Sequence, residues 1–272
     1  MKNKIIIIGK KGFLGSNLNS YLKKRNFILN LDYKTFIKKK LNFINNFNYV
    51  INCTSNYEYI ANKYLKKNDF DLTIANKIKN INIKMIMLSS RKVYKAGTNL
   101  KETSILKPKS NYSKNKLRTE KTLLKILKEK ILILRISNVV GLNKRKSNNL
   151  HKVFTNIFYE NAKKGLIFDN KNSYKDFISV NMFCEIVERL IISNTCGVYN
   201  VSLGRKVFLK KIVNWLNFYK KKNIKLINLN KNYQSDNFTL NNDKLMNTIK
   251  IKNTIEDLKK YCVKLSKDLF IK

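Results

Sequence analysis

The chain has 272 residues, 43% of them hydrophobic and 11% aromatic, which supplies a core for one large domain or two modest ones and excludes global disorder. Its formal net charge of +40 suggests a polyanion partner, yet only seven of the 57 basic residues are arginine, and the lysines are scattered without a basic block. No apolar run has the length of a membrane span or a signal peptide, and Cys53, Cys184, Cys196 and Cys262 form no C-x-x-C pair. These features predict a cytoplasmic protein with no disulfide scaffold, no metal site and no membrane contact.

Strand and helix signals alternate along the first half. Ile5–Ile8 is a solid apolar run ending at Gly9, as a strand buried on both faces requires. A helix is expected over 12–24, a second strand over Phe27–Leu31 ending at Asp32, and a third over Tyr49–Asn52. A polar helix follows over 59–79, then a strand at Lys84–Leu88 that runs into Ser89 and Ser90. Beyond Pro108, the only proline, a long helix is expected over 112–130 and a strand over Ile131–Ile136. Such alternation predicts β-α-β units and a doubly wound parallel sheet of Rossmann type.

After Gly141 the pattern loosens. A polar loop is expected over 144–149, a helix over 150–164, a strand near Asp176–Val180, a helix to Ile192 and a strand at Gly197–Val201. The domain reading is a dinucleotide-binding domain over 1–140 and a smaller substrate lobe over 141–272, with about 176–201 returning to the first domain's core. His151, the only histidine, reads as a surface or capping residue. Trp215, beside Ile212, Leu216 and Tyr219, reads as core, and Cys184 and Cys196 as small buried groups.

Two constellations carry chemistry. Gly9, Gly12 and Gly15, with Phe13 and Leu14 between them, stand after a strand and open a helix; three of the chain's eight glycines fall there. Such a turn lets a pyrophosphate approach backbone N–H groups at a helix N-terminus. Asp32, 17 residues after Gly15, stands where an acid would hold an adenosine ribose, which favours NAD(H); Lys34 leaves NADP(H) open. The second is Tyr112 and Lys116, four apart and on one helix face. Tyr59/Lys63 and Tyr159/Lys163 share that spacing, but only Tyr112 follows a Ser-Ser at a strand end.

With GKKGFLGSNL at Gly9, VINC at Val50–Cys53, LSSRKVY at Leu88–Tyr94, Glu102, PKSNYSKNK at Pro108–Lys116, LRISNVVG at Leu134–Gly141, KDFISV at Lys175–Val180, GVYNVSLG at Gly197–Gly204 and TLNNDKL at Thr239–Leu245, the chain resembles the extended short-chain dehydrogenase/reductase family. That family comprises NAD-dependent sugar-nucleotide epimerases, dehydratases and 4-keto reductases. The resemblance implies that Ser90, Tyr112 and Lys116 are catalytic, with Tyr112 as acid/base. A free tyrosine titrates near pH 10, and the charge of Lys116 would bring it into range while the same side chain binds the nicotinamide ribose. Cys53 and Thr54 would lie beside the cofactor, and Ser90, Asn138 and Arg205 would meet the substrate.

Departures narrow the activity. Arg91 and Lys92 stand where the dehydratase branch carries Asp-Glu, and Lys92 also replaces the cysteine of the branch that epimerises beside the ketone. Lys95 replaces a common glycine, and the span 33–48 leaves little room for the usual strand and helix. The expectation is an NAD(P)-dependent oxidoreductase acting at C4 of a nucleotide-activated hexose, a 4-keto reductase before a 4-epimerase, in surface-polysaccharide sugar biosynthesis. A non-catalytic cofactor- or nucleic-acid-binding protein on this fold is the remote alternative. The resemblance also implies a homodimer pairing the helices over 59–79 and 112–130, and the surplus of leucines at Leu117, Leu123, Leu124 and Leu127 agrees with it.

Overall fold

The computed structural model describes residues 2–142, 166–169, 173–220, 225–228, 236–252 and 254–271. The loop and helix expected over 144–164, with His151, Tyr159 and Lys163, lie outside these residues.

Six strands form one parallel sheet: β1 (Lys4–Ile8), β2 (Phe27–Leu31), β3 (Tyr49–Asn52), β4 (Lys84–Ser90), β5 (Ile131–Ile136) and β10 (Gly197–Val201). Their order is β2-β1-β3-β4-β5-β10, so the chain reverses direction across the sheet between β1 and β3. The four isoleucines of β1 are all 0% exposed because both faces of the sheet are covered. Side chains alternate across a strand. Ile5 and Ile7 therefore join the core with Phe13, Leu18 and Phe183, while Ile6 and Ile8 join Phe36, Leu72 and Leu123. Each such side chain contributes about 1.5–3 kcal/mol by leaving water.

Helix α1 (Phe13–Leu22) and α7 (Val180–Ile192) cover the first face. The Arg25–Glu188 pair (2.7 Å) and the Tyr49 hydroxyl, which donates to the Ile191 carbonyl (3.1 Å), tie α7 to this face. The second face is covered by α2 (Tyr33–Lys38), α3 (Leu41–Ile44), α5 (Phe70–Ile78) and α6 (Asn111–Leu127). The short span 33–48 thus holds two helical turns and leads directly into β3. The single polar helix expected over 59–79 is two: α4 (Tyr57–Ala61) and α5, separated by a 3₁₀ turn at Lys66–Asn68. Asp69 causes the restart, since its carboxylate caps α5 by accepting from the Leu72 N–H at 3.0 Å.

Outside that sheet, β6 (Asn138–Val140) pairs with β9 (Phe177–Ser179), β7 (Leu166–Asp169) with β12 (Lys225–Asn228), and β8 (Tyr174–Lys175) with β11 (Val207–Phe208). Helices α8 (Leu209–Leu216) and α10 (Ile255–Phe270) share a core there that includes Phe177, Ile212, Leu216, Leu258 and Leu265, with Trp215 packed at the margin. Helix α9 (Asp243–Ile249) instead places Leu245 and Ile249 in the core of the first sheet face. Cys184 is buried, but Cys196 is exposed between α7 and β10, contrary to the sequence reading: the chain turns there and places it outside the apolar stripe.

The leucines of α6 are also accounted for. Leu117, Leu123 and Leu127 are buried within the subunit, and Leu124 alone among the four is exposed. The outward stripe of the helix is Lys114, Arg118, Lys121 and Lys125 with Leu124 beside them, so three of the four leucines serve the subunit's own core.

Candidate active site

Residues just past the carboxyl ends of β1 to β5 converge on one cleft of ≈ 1120 Å³. They are Gly9 after β1, Asp32 after β2, Cys53 and Thr54 after β3, Ser89 and Ser90 closing β4, and Ser137 and Asn138 after β5. Parallel sheets bind ligands at this edge, near the point where strand order reverses.

The glycine turn is shaped for close approach. Gly9 has φ +93°, and a Cβ on Gly15 would meet the Gly9 carbonyl oxygen at 2.3 Å. Gly15 therefore packs behind the loop and is absent from the cleft lining, whereas Gly9, Gly12, Phe13 and Leu14 line it. Gly12 caps α1 without a side-chain acceptor, which leaves the first N–H groups of the helix for an anion; Lys10 and Lys11 flank them. Asp32 accepts from the Thr35 N–H (2.9 Å) and hydroxyl (2.7 Å), capping α2, and these bonds hold its carboxyl below the ordinary range. Buried on the same lining, Asn30 Oδ1 and Ser137 Oγ have no hydrogen-bond partner among the described residues. Bare N–H donors, flanking cations, a carboxylate at the end of β2, an unpaired amide oxygen and an unpaired hydroxyl fit a dinucleotide.

Tyr112 and Lys116 enter from the first turns of α6, which is started by a capping box between Ser110 and Ser113. Ser90 lines the cleft and accepts the Lys92 N–H at 3.2 Å, so it also caps the 3₁₀ turn at Arg91–Val93. Ser89 donates to Glu120, whose carboxylate pairs with Arg135 at 2.7 Å; both side chains are at most 5% exposed. Arg135 reaches on to the Tyr94 hydroxyl (2.9 Å), which donates to Asn200 (2.7 Å). This buried chain fixes the ends of β4, β5 and β10 beneath the cleft.

Lys116 does not stand as a free cation. Its Nζ lies 2.9 Å from Asp71 Oδ2, with the two side chains 5% and 4% exposed, and 5.6 Å from the ring centre of Tyr59. Asp71 is held in turn by the Asn52 amide at 2.7 Å. Burial acts to lower the Lys116 ammonium, but the Asp71 carboxylate, with smaller contributions from Tyr59 and Tyr112, raises it beyond the ordinary lysine range. Burial pushes the Tyr59 hydroxyl and the Cys53 thiol up.

Sequence reasoning missed Asn52, Asp71, Tyr59 and Ser137. Tyr59 lacks the Ser-Ser context of Tyr112, yet it faces the same lysine. Asp71 is 45 residues from Lys116, and no local spacing links them. Arg91 turns away from the cleft to pair with Asp236 and lies over the Phe238 ring at 3.9 Å, leaving Lys92 on the lining. Arg205, expected at the substrate, is exposed after Gly204 and outside the cleft lining, because Gly204 (φ +73°) turns the chain toward β11.

The sheet order and the cleft at the strand ends define a Rossmann-type α/β protein. A model of the NAD dependent epimerase/dehydratase family matches residues 5–202, and the chain belongs to that family. Among solved structures, the UDP-N-acetylglucosamine 4-epimerase of Methanobrevibacter ruminantium, in complex with UDP-N-acetylmuramic acid, superposes with TM-score 0.82 at 20% identity, covering 98% of each chain. The UDP-glucuronic acid 4-epimerase of Bacillus cereus, with NAD, superposes at 0.76 and 17% identity, over 98% of this chain and 99% of that one. RMD of Pseudomonas aeruginosa, with NADPH, gives 0.76 and 16% over the same shares. At these identities the likeness is one of fold. No curated protein matches significantly.

Proposed function

We propose that the protein is a sugar-nucleotide oxidoreductase that uses NAD(H), with NADP(H) as the weaker alternative, at C4 of a nucleotide-linked hexose. The observation that carries this reading is the convergence of the glycine turn, Asp32, Ser90, Tyr112, Lys116 and Asn138, from separate elements, on one cleft. A bound nicotinamide supplies or takes up hydride. Tyr112 then gives its proton to the carbonyl oxygen at C4 in reduction, or takes it from the hydroxyl in oxidation. Ser90 supplies a second hydroxyl on the same wall, and Lys116 grips the cofactor ribose. The N–H groups opening α1, with Lys10 and Lys11, receive the pyrophosphate.

Net 4-keto reduction is favoured over 4-epimerisation. Beside Ser90 the cleft meets Lys92 and not a small residue, which supports a sugar held in one orientation. The absence of carboxylates at positions 91 and 92 speaks against dehydration. The described residues contain no helix long and apolar enough to cross a membrane. The setting is proposed to be cytoplasmic synthesis of sugars for surface polysaccharide, with the protein as a homodimer.

Incubation of nucleotide 4-keto-sugars with both reduced cofactors, and of nucleotide 4-hydroxy-sugars with catalytic amounts of oxidised cofactor, tests the reading. Stoichiometric NADH oxidation with a 4-hydroxy product is the expected result. Interconversion of 4-epimers without net cofactor turnover would replace the reductase by the epimerase, and cofactor binding without either reaction would leave only the non-catalytic alternative.

A further inference from the structure

We propose that Asp71, anchored by Asn52, is a positioning residue that keeps the Lys116 ammonium charged and fixed on the floor of the cleft. The proposal rests on the reading of that cleft as a dinucleotide site.

Three observations support it. Asp71 is the second residue of α5, where the helix dipole favours a carboxylate, and its backbone position is set by the Asp69 cap. Both of its oxygens are engaged, Oδ1 by the Asn52 amide and Oδ2 by Lys116. Asn52 is itself locked at the end of β3, accepting from the Thr54 N–H at 3.1 Å and donating to the Thr54 carbonyl at 3.2 Å. Strand, helix and lysine are thus joined through one carboxylate.

Tyr59 faces Lys116 from α4, Asp69 and Asp71 from the start of α5, and Tyr112 from one turn earlier on α6, while Asn52 of β3 holds Asp71 from the other side. Asp69 is occupied elsewhere, receiving the Thr119 hydroxyl at 2.6 Å, and burial pushes its carboxyl up, with Asp71 adding to the effect. Asp71 is therefore the counter-ion in contact with the lysine. A buried amine without a counter-ion sheds its proton at lower pH, because burial penalises only the charged form. The pair makes the lysine's grip and its field on Tyr112 independent of pH across the neutral range. It also partly cancels that field.

Asp71→Asn tests this, since the amide keeps the shape and removes the charge. In the variant the folded state should bind the Lys116 proton less tightly than the unfolded chain, so its stability should rise with pH. The melting temperature of the cofactor-free variant should then lie below wild type at pH 6.5 and recover toward it by pH 9. Over the same interval NADH affinity, measured by fluorescence, should weaken about 10-fold as the lysine loses its charge, while wild-type affinity stays flat. Asp71→Asn/Lys116→Met should abolish both pH trends and melt above Asp71→Asn at pH 6.5, because a buried pair removed together costs less than half a pair.

A uniform loss at every pH, or profiles like those of wild type, would overturn the proposal. So would a double variant that melts no higher than the single one. If wild-type protein bound neither NADH nor NADPH, the dinucleotide reading would fail and with it the ribose grip. The melting profiles would still decide whether Asp71 keeps Lys116 charged.

Discussion

At the scale of single residues, Tyr112 is the group on which the proposed chemistry turns. Tyr112→Phe keeps the ring and its place on the first turn of α6 but removes the proton donor. Positioned acids contribute about 10²–10⁴-fold, so single-turnover reduction of a nucleotide 4-keto-sugar should slow by that order while NADH affinity is unchanged. Tyr59 is no inert control for this experiment. Its hydroxyl lies 2.7 Å from the Thr119 hydroxyl and its ring faces Lys116, so Tyr59→Phe should cost stability as well. Asp32 stands at the other end of the cleft. Asp32→Ala removes both a ribose acceptor and the negative charge that repels a 2′-phosphate. Calorimetry should show NAD(H) binding weakened and the gap to NADP(H) narrowed. Unchanged selectivity would assign the choice to Lys34 and the glycine loop.

Among elements, the turn from β1 into α1 is the tightest constraint. The contact that a Gly15 Cβ would make at 2.3 Å is with backbone, which no rotamer change relieves. Gly15→Ala should therefore displace the loop, abolish detectable NADH binding and lower the melting temperature. Retained binding would show that the loop can shift without losing its donors. Most of these elements were legible in the sequence because each is announced locally. The β1 run is apolar on both faces, the glycine cluster marks a turn, and Pro108 precedes the long helix α6. The break between α4 and α5 was hidden because Asp69 reads as one more polar residue until its cap bond is seen. The fate of the α6 leucines was hidden for a related reason: periodicity reports that a side is apolar, not which neighbour covers it.

For the whole molecule, Asp176 joins regions far apart in the chain. It is 0% exposed, and its carboxylate accepts from the N–H groups of Leu203 (3.0 Å), Gly204 (3.1 Å) and Leu240 (3.1 Å). Asp176→Asn replaces one acceptor oxygen by an amino group, at a cost of about 1–3 kcal/mol for each donor left unpaired. Urea denaturation should show that loss. A change below about 0.5 kcal/mol would mean that the two segments are held without it. Assembly belongs to this scale too. A homodimer through α6 would set Lys114, Arg118, Lys121 and Lys125 against their copies, so light scattering should show mass rising toward a dimer as salt screens them. A dimer already formed at 20 mM salt would place the interface on another face.

The sequence by itself determined the family, the parallel sheet and the cleft residues that sit in local motifs, because a strand end, a glycine turn and a helix start are each written within a few adjacent positions. Only the tertiary structure decided what surrounds them. Asn52, Asp71 and Lys116 come from β3, α5 and α6, and their union depends on how those elements pack. Arg205 stands outside the cleft lining for the same reason, since the turn at Gly204 sets where it lies. Local patterns specify which backbone a segment adopts; long-range packing specifies which charges meet, and in a chain with 57 basic and 17 acidic residues the position of each carboxylate decides which lysine is paired.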